Sequence, residues 1–176
     1  ANQDDELRLA FSVVNKEGAN TTNGGVVAQP KELPIQAAST EELYDQYLNL
    51  NCLTPGLLQG GKADDPTKYT LTCSKDGFEK FVLAPAFITG DQVSDSQASL
   101  PQQGAGGWMV LLDFDSTGAS KLSEASSTLS KLPSPQNRFG IVLDGLVVSA
   151  PFFSEPILPQ CLQQSLSVFL LIFDNL

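Results

Sequence analysis

The segment 139–149 restricts the fold more than any other part of the sequence. Phe139, Ile141 and Leu143 alternate before Asp144-Gly145, the dipeptide best suited to a two-residue hairpin turn, and 146–149 is expected to form the returning strand. The segment 108–114 is the strongest single strand, and shorter strands are expected at 7–14, 69–72 and 81–83. Because hairpin turns join antiparallel neighbours, the sequence predicts an α+β fold with mostly antiparallel pairing.

Two helices are expected between these strands. Ser39, with Glu42 three residues later, has the pattern of a capping box for a first helix that ends near residue 50. Ser116 is expected to cap a second helix, which Pro133 ends. The apolar positions at helical spacing are Leu43, Tyr47 and Leu50 in the first helix and Leu122, Ala125, Leu129 and Leu132 in the second.

Three segments lack a periodic apolar pattern. Residues 15–38 are rich in Asn, Thr, Gly and Pro and are expected to form a long, mobile loop. Residues 51–67 and 95–107 are also expected to be irregular. The fold should therefore combine few helices with long loops.

The composition excludes several functions for this chain of 176 residues. Its formal net charge of −10 would repel nucleic acid and anionic lipid surfaces. The sequence has no His, so Ser-His-Asp catalysis, Cys-His catalysis and His-ligated zinc are all excluded. No stretch approaches the roughly 20 apolar residues that span a bilayer. We expect no cofactor.

The three cysteines leave two interpretations open. A Cys52–Cys73 disulfide would close a loop of roughly 20 residues and stabilise the fold by about 3 kcal/mol. Two independent reduced thiols agree equally well with the spacing. Cys161 is left over in either case, and a zinc site is not expected, because three thiols without His do not supply four ligands.

Asp113 and Asp115 resemble two catalytic or metal-binding motifs. After an apolar strand, Asp-x-Asp-x-Thr is the first motif of haloacid-dehalogenase-type phosphatases, in which the two carboxylates act as nucleophile and acid/base and help to hold magnesium. The same residues, with Thr117, Gly118 and Glu124, follow the spacing of an EF-hand calcium loop. The simpler interpretation, which we favour, is that both Asp residues end a strand next to a helix N-terminus.

Two further features concern the surface. Phe152 and Phe153 follow Pro151 and are candidates for contact with a partner, although adjacent aromatic residues more often divide between core and surface. Arg138 and Lys131 stand alone in the sequence and are expected to be solvated.

The run FGIVLDGLVVSAP at 139–151 closely resembles the I-V-L-D-G-x-V-V-S-A-P segment of the SecD family, accessory subunits of the Sec preprotein translocase. The segment 108–118 and several shorter fragments resemble the same family in the same order, and the resemblance covers about residues 6–14 and 50–157. The motif positions are Leu143, Asp144, Gly145, Val147, Val148, Ser149, Ala150 and Pro151.

The resemblance implies a SecD head-like fold and a non-catalytic role in protein transport. It implies a cell-membrane protein with this domain on the extracytoplasmic side, connected to the membrane only through flanking transmembrane helices outside the sequence. Its expected partners are SecF, the SecYEG channel and the translocating preprotein, which Phe152, Phe153 and the loop 95–107 are candidates to contact. The proton motive force would act on the membrane part. The oxidising compartment favours the Cys52–Cys73 disulfide.

The resemblance also implies a division of the chain. Residues 1–14 would form a strand that leads from a base subdomain, 15–50 a mobile loop and a short helix, and 51–157 the head-like domain. Residues 158–176 are expected to depart from the family pattern and to form an atypical tail. An unpaired strand at 168–173 in this tail would favour self-association.

Overall fold

Short, mostly apolar strands pair antiparallel into two sheets in the computed structural model, which describes residues 6–13, 29–59, 64–99, 109–157 and 170–171. The strands are β1 (Glu6–Val13), β2 (Ile35–Ala37), β3 (Tyr69–Cys73), β4 (Lys80–Thr89), β5 (Val93–Ser99), β6 (Met109–Phe114), β7 (Phe139–Leu143), β8 (Leu146–Ser149) and β9 (Leu170–Leu171). The helices are α1 (Glu41–Asn49) and α2 (Ser116–Leu129), with short 3-10 turns at Leu57–Gln59 and Gly90–Gln92. The predicted α+β class is confirmed.

The larger sheet curls back on itself. Its strand order is β2-β3-β4-β1-β7-β8, and every neighbouring pair is antiparallel. Just beyond β3, Ser74 forms a parallel bridge with Val147 of β8. The sheet therefore approaches a closed barrel of five strands, with β2 added outside β3.

The smaller sheet has the order β5-β6-β9. Its strand β5 lies within the segment 95–107, which was expected to be a loop, and this expectation is wrong for residues 95–99. The polar side chains of β5 carry no apolar signal, yet its backbone pairs with the apolar strand β6. Residues 100–108 lie outside the described residues.

Two other predicted irregular or unpaired segments are partly ordered as strands. Within the expected loop 15–38, residues 35–37 form β2 against β3, while 15–28 lie outside the described residues. In the expected strand 168–173, Leu170 and Leu171 form β9 and pair with the start of β6. These two residues are therefore paired within the chain, and the rest of that segment is not described.

Among the residues that the structure describes, the core consists of three clusters separated by the large sheet. One lies inside the curl, a second lies between the sheet and α2, and a third lies beneath α1. Their buried members are, in that order, Phe81, Leu83, Val142 and Val147; Ile88, Leu122, Leu129, Phe139, Ile141 and Phe153; and Leu33, Leu43, Leu50, Cys52, Leu57, Leu71, Cys73 and Leu146. Leu43, Leu50, Leu122 and Leu129 are buried as the helical spacing predicted, whereas Leu132 is exposed because α2 ends at Leu129.

Both predicted helix caps are wrong by one residue. The N-cap of α1 is Thr40, and Ser39 instead contacts the side chain of Glu42 at 3.5 Å. The N-cap of α2 is Asp115, whose carboxylate accepts a hydrogen bond from the Gly118 N–H at 2.7 Å. A carboxylate at this position also favours the positive end of the helix dipole, so Asp115 serves α2 better than a hydroxyl would.

The predicted hairpin between β7 and β8 is confirmed. Asp144 and Gly145 both have positive φ, 51° and 77°, as a two-residue turn of the primed type requires. In the part of the chain that the structure describes, neither helix has the length and apolar character needed to cross a bilayer.

We expect Gly145→Ala to lower the free energy of unfolding by about 1–2 kcal/mol, because a Cβ disfavours the positive φ at this position. Asp144→Gly is the matched control and should leave stability close to that of the unmodified chain, since glycine adopts the φ of residue 144 without strain. Urea unfolding followed by circular dichroism measures both, and equal losses in the two variants would contradict the assignment of the turn.

Candidate functional site

The family-like motif at 143–151 lies where the curled sheet closes. The hydroxyl of Thr72 donates a hydrogen bond to the carbonyl of Gly145 at 2.6 Å, and the N–H of Lys75 donates to the carbonyl of Val147 at 2.9 Å. We call this contact between the end of β3 and the β7–β8 hairpin the seam. Thr72 and Val147 are both buried, so the seam excludes water.

Other residues of the motif connect the hairpin to two core clusters and to the start of β7. Leu146 joins the cluster beneath α1, while Val148 packs against the cluster beneath α2. The carbonyl of Pro151 accepts a hydrogen bond from the N–H of Phe139 at 3.0 Å. The motif therefore builds the fold, and its exposed members Leu143 and Asp144 lie at the hairpin tip.

Arg138 contacts three segments of the chain, so the expectation that its side chain is solvated is wrong. Its guanidinium donates to both carboxylate oxygens of Glu79, at 3.0 and 3.3 Å. Its Nε donates to the carbonyl of Ala150 at 2.8 Å, and its guanidinium carbon lies 5.6 Å from the ring centre of Phe81. Sequence reasoning missed this pair because its partners are 59 residues apart. Lys131 is exposed, as expected.

Cys52 and Cys73 form a disulfide with their Cα atoms 5.8 Å apart. Both cysteines are buried in the cluster beneath α1. The bond attaches the segment that follows α1 to the last residue of β3, beside the seam. Cys161 lies outside the described residues.

A shallow pocket of about 330 Å³ opens beside the disulfide and is lined by Cys52, Leu53, Thr54, Pro55, Gly56, Leu58 and Gln59. Leu53 and Leu58 lie over Gly77, where a Cβ would come within 3.1 and 3.0 Å of them. Gly77 also has a positive φ of 77°, so the turn before β4 needs glycine for two reasons. Leu53 and Phe78 are both largely exposed around this pocket.

The ammonium group of Lys80 holds the end of α1. It donates to the carbonyls of Tyr47 at 2.7 Å and Leu50 at 3.3 Å, and lies 4.6 Å from the ring centre of Tyr47. Burial lowers the pKa of Lys80 and raises the pKa of Tyr47. A positive charge at these carbonyls also complements the helix dipole, which fixes α1 on the sheet.

The two adjacent phenylalanines divide between surface and core. Phe152 is 65% exposed, whereas Phe153 is only 7% exposed and stacks on Phe139 with ring centres 4.7 Å apart. Phe153 is therefore not part of an exposed contact surface, and of these two residues Phe152 remains the candidate for contact with a partner.

The phosphatase and EF-hand alternatives for Asp113 and Asp115 are wrong. An EF-hand loop follows a helix, whereas the loop after Asp113 follows strand β6. A phosphatase of the haloacid-dehalogenase type needs a parallel sheet, whereas β6 pairs antiparallel with β5. Asp115 caps α2, as the simpler interpretation has it. Within the described ranges, no three acidic or cysteine side chains lie close enough together to hold a metal ion.

The fold and these contacts define an α+β domain in which a disulfide, an ion pair and a closed seam connect segments that are distant in sequence. Residues 68–166 match the family model described as SecDF, P1 head subdomain. The chain belongs to this family, and the resemblance of the 139–151 motif to SecD is confirmed.

Several relatives of the chain are named protein translocase subunit SecD. The protein translocase subunit SecD of Streptomyces coelicolor is 32% identical over 121 residues, which cover 66% of this chain and 21% of the relative. SecD of Mycobacterium tuberculosis H37Rv is 32% identical over 112 residues, 64% of this chain and 18% of the relative. SecD of Petrotoga mobilis is 41% identical over 83 residues, 47% and 16%. The chain thus spans about a fifth of the length of the relatives that it matches.

Two solved structures are similar to the chain at a lower level. The crystal structure of SecDF in a super-membrane-facing form aligns with a TM-score of 0.39 and 22% identity, over 87% of this chain and 15% of that one. A second SecDF structure, of a membrane component that enhances protein export, aligns with a TM-score of 0.39 and 23% identity, over 87% and 50%.

We expect the double variant Cys52→Ala/Cys73→Ala to lose about 3 kcal/mol of unfolding free energy, because the disulfide restricts the unfolded chain. Urea unfolding with and without dithiothreitol measures the effect. The reductant should destabilise the unmodified chain and leave the double variant unchanged, and a destabilisation of both would show that it acts elsewhere.

Arg138→Lys should lower the free energy of unfolding by about 1–3 kcal/mol, since an ammonium group cannot make the paired contacts with Glu79 or replace the Nε bond to Ala150. Lys68→Ala is the control, because Lys68 forms a more exposed ion pair with Asp65 at 3.3 Å and should change stability little. Thermal unfolding measures both, and an unchanged midpoint for Arg138→Lys would refute the role assigned to it.

Proposed function

We propose that this chain forms the head region of a SecD subunit and serves Sec-dependent protein transport without catalysing a reaction. The observation that carries the proposal is the match of residues 68–166 to the SecDF P1 head subdomain. The SecD relatives, which are protein translocase subunits, support the same role.

An extracytoplasmic position agrees with the disulfide. Protein disulfides persist in oxidising compartments and are rare in the cytosol, where thiols are kept reduced. The buried Cys52–Cys73 bond anchors the segment after α1 to β3, so the fold uses it structurally. In this proposal the domain stands on the outer side of the cell membrane, and flanking transmembrane helices outside the chain connect it to the bilayer.

Contact with the translocating preprotein would use exposed apolar side chains. A translocated polypeptide is unfolded and varies in sequence, so a surface that holds it must recognise apolar groups or the backbone itself. The side chain of Phe152 is exposed and apolar. The backbone of Phe152 forms a β-bridge with Arg138, and the ion pair between Arg138 and Glu79 fixes the position of this bridge.

The remaining parts of the proposal concern the rest of the machinery. SecF and the SecYEG channel would be the partners of the complete subunit, and the proton motive force would act on its membrane part. Asp115 serves as the N-cap of α2. This structural role supports a domain that holds polypeptide without catalysing a reaction.

Site-specific photocrosslinking tests this proposal in a full-length SecD that carries this chain as its head. A photoreactive residue in place of Phe152 should crosslink to a preprotein arrested during export, because the side chain at this position is exposed. The same residue in place of Glu124, which is exposed on α2, is the matched control. Equal adducts at both positions, or none at Phe152, would count against the contact.

A further inference from the structure

The outward face of α1 combines apolar and acidic side chains. Tyr44 and Leu48 are four residues apart, so they lie next to each other on the helix surface, and they are 60% and 51% exposed. Glu41 and Asp45 have the same spacing and form an adjacent exposed row. We call these four residues the α1 surface.

The charge of this surface has one sign. Neither a lysine nor an arginine occurs between residues 32 and 61, so no basic side chain of α1 or of its flanking segments neutralises Glu41 and Asp45. A backbone hydrogen bond and a hydrogen bond with Ser39 lower the pKa of Glu41, which keeps its carboxylate ionised. The α1 surface thus offers two apolar side chains beside fixed negative charge.

The α1 surface is also held in place from below. Leu43 and Leu50 are buried on the opposite side of α1, and Lys80 binds two carbonyls at its C-terminal end. The disulfide at Cys52 anchors the chain two residues further on, where Leu53 adds another side chain that is 67% exposed. A rigid surface loses little conformational entropy when a partner binds to it.

We propose that the α1 surface binds a segment of unfolded polypeptide in which leucine or phenylalanine stands next to lysine or arginine. This inference rests on the proposed function, and it specifies the chemistry of the segment that the domain would hold. The apolar side chains would pack on Tyr44 and Leu48, while the basic groups would pair with Glu41 and Asp45.

Charge argues against other occupants of this surface. A second copy of the chain would bring its own acidic row and a net charge of −10 against the same charges. Nucleic acid and anionic lipid are repelled for the same reason. A polypeptide segment with apolar and basic residues matches both the apolar side chains and the negative charge of the α1 surface.

Fluorescence anisotropy with the full 176-residue chain, its disulfide intact, tests the inference. Three labelled peptides of equal length would alternate leucine with lysine, leucine with glutamate, and serine with lysine. At low salt the leucine–lysine peptide should bind at least about tenfold more tightly than either of the others, and salt should weaken its binding. Equal binding of all three peptides, or of none, would overturn the proposal.

Paired variants locate the binding site. Tyr44→Ser/Leu48→Ser should weaken binding of the leucine–lysine peptide about tenfold, whereas Leu132→Ser, which removes an apolar side chain 36% exposed beyond α2, should change it less than about twofold. Glu41→Gln/Asp45→Asn should weaken binding and flatten its salt dependence, with Glu124→Gln as the control. Circular dichroism verifies that each variant is folded.

Two other outcomes would identify a different binding site or a different occupant of the α1 surface. Binding that survives Tyr44→Ser/Leu48→Ser and is lost in Phe152→Ser would overturn this inference and leave the proposed function standing. Sedimentation that shows a dimer in the unmodified chain and a monomer in Tyr44→Ser/Leu48→Ser would identify a second copy as the occupant and overturn it as well. Failure of the proposed function is read separately, from the absence of preprotein crosslinks in the full-length subunit.

Discussion

Closure of the large sheet along the seam is the constraint on which the rest of the structure depends. The seam brings β3 and β8 together, so the interior cluster around Phe81 and Val142 is enclosed. Arg138 then connects Glu79, the residue before β4, with Ala150, the residue after β8. Because strands distant in sequence meet there, opening the seam would expose the apolar side chains of the interior cluster to water.

The seam also places the parts of the molecule that can meet a partner. The disulfide at the end of β3 anchors the segment after α1, and Lys80 at the start of β4 binds the end of that helix. The outward face of α1 is therefore positioned by β3, which also forms one side of the seam, and by the start of β4. Phe152 follows β8 and is held by its bridge to Arg138.

Local sequence patterns predicted the elements whose signal lies in a few adjacent residues. The Asp144-Gly145 turn, the strand β6 and the burial of Leu122 and Leu129 on α2 are all expected from the sequence and are observed. The polar strand β5 was missed because β6 supplies its pairing, and the short strand β2 because its pattern is only three residues long. The cap of α2 lies one residue before the expected Ser116 because the Asp115 carboxylate accepts the hydrogen bond from the Gly118 N–H, and α1 begins after Thr40 instead of Ser39.

The sequence by itself determined the α+β class, the family resemblance and the exclusion of His chemistry, because these depend on residue identity and short-range order. It left the Cys52–Cys73 disulfide open on spacing alone, and it could not show that Phe152 is exposed while Phe153 is buried. Only the tertiary structure decided these points, together with the Arg138–Glu79 pair and the α1 surface. The physical reason is that burial and long-range pairing depend on which strands become neighbours, and the closed sheet alone determines that.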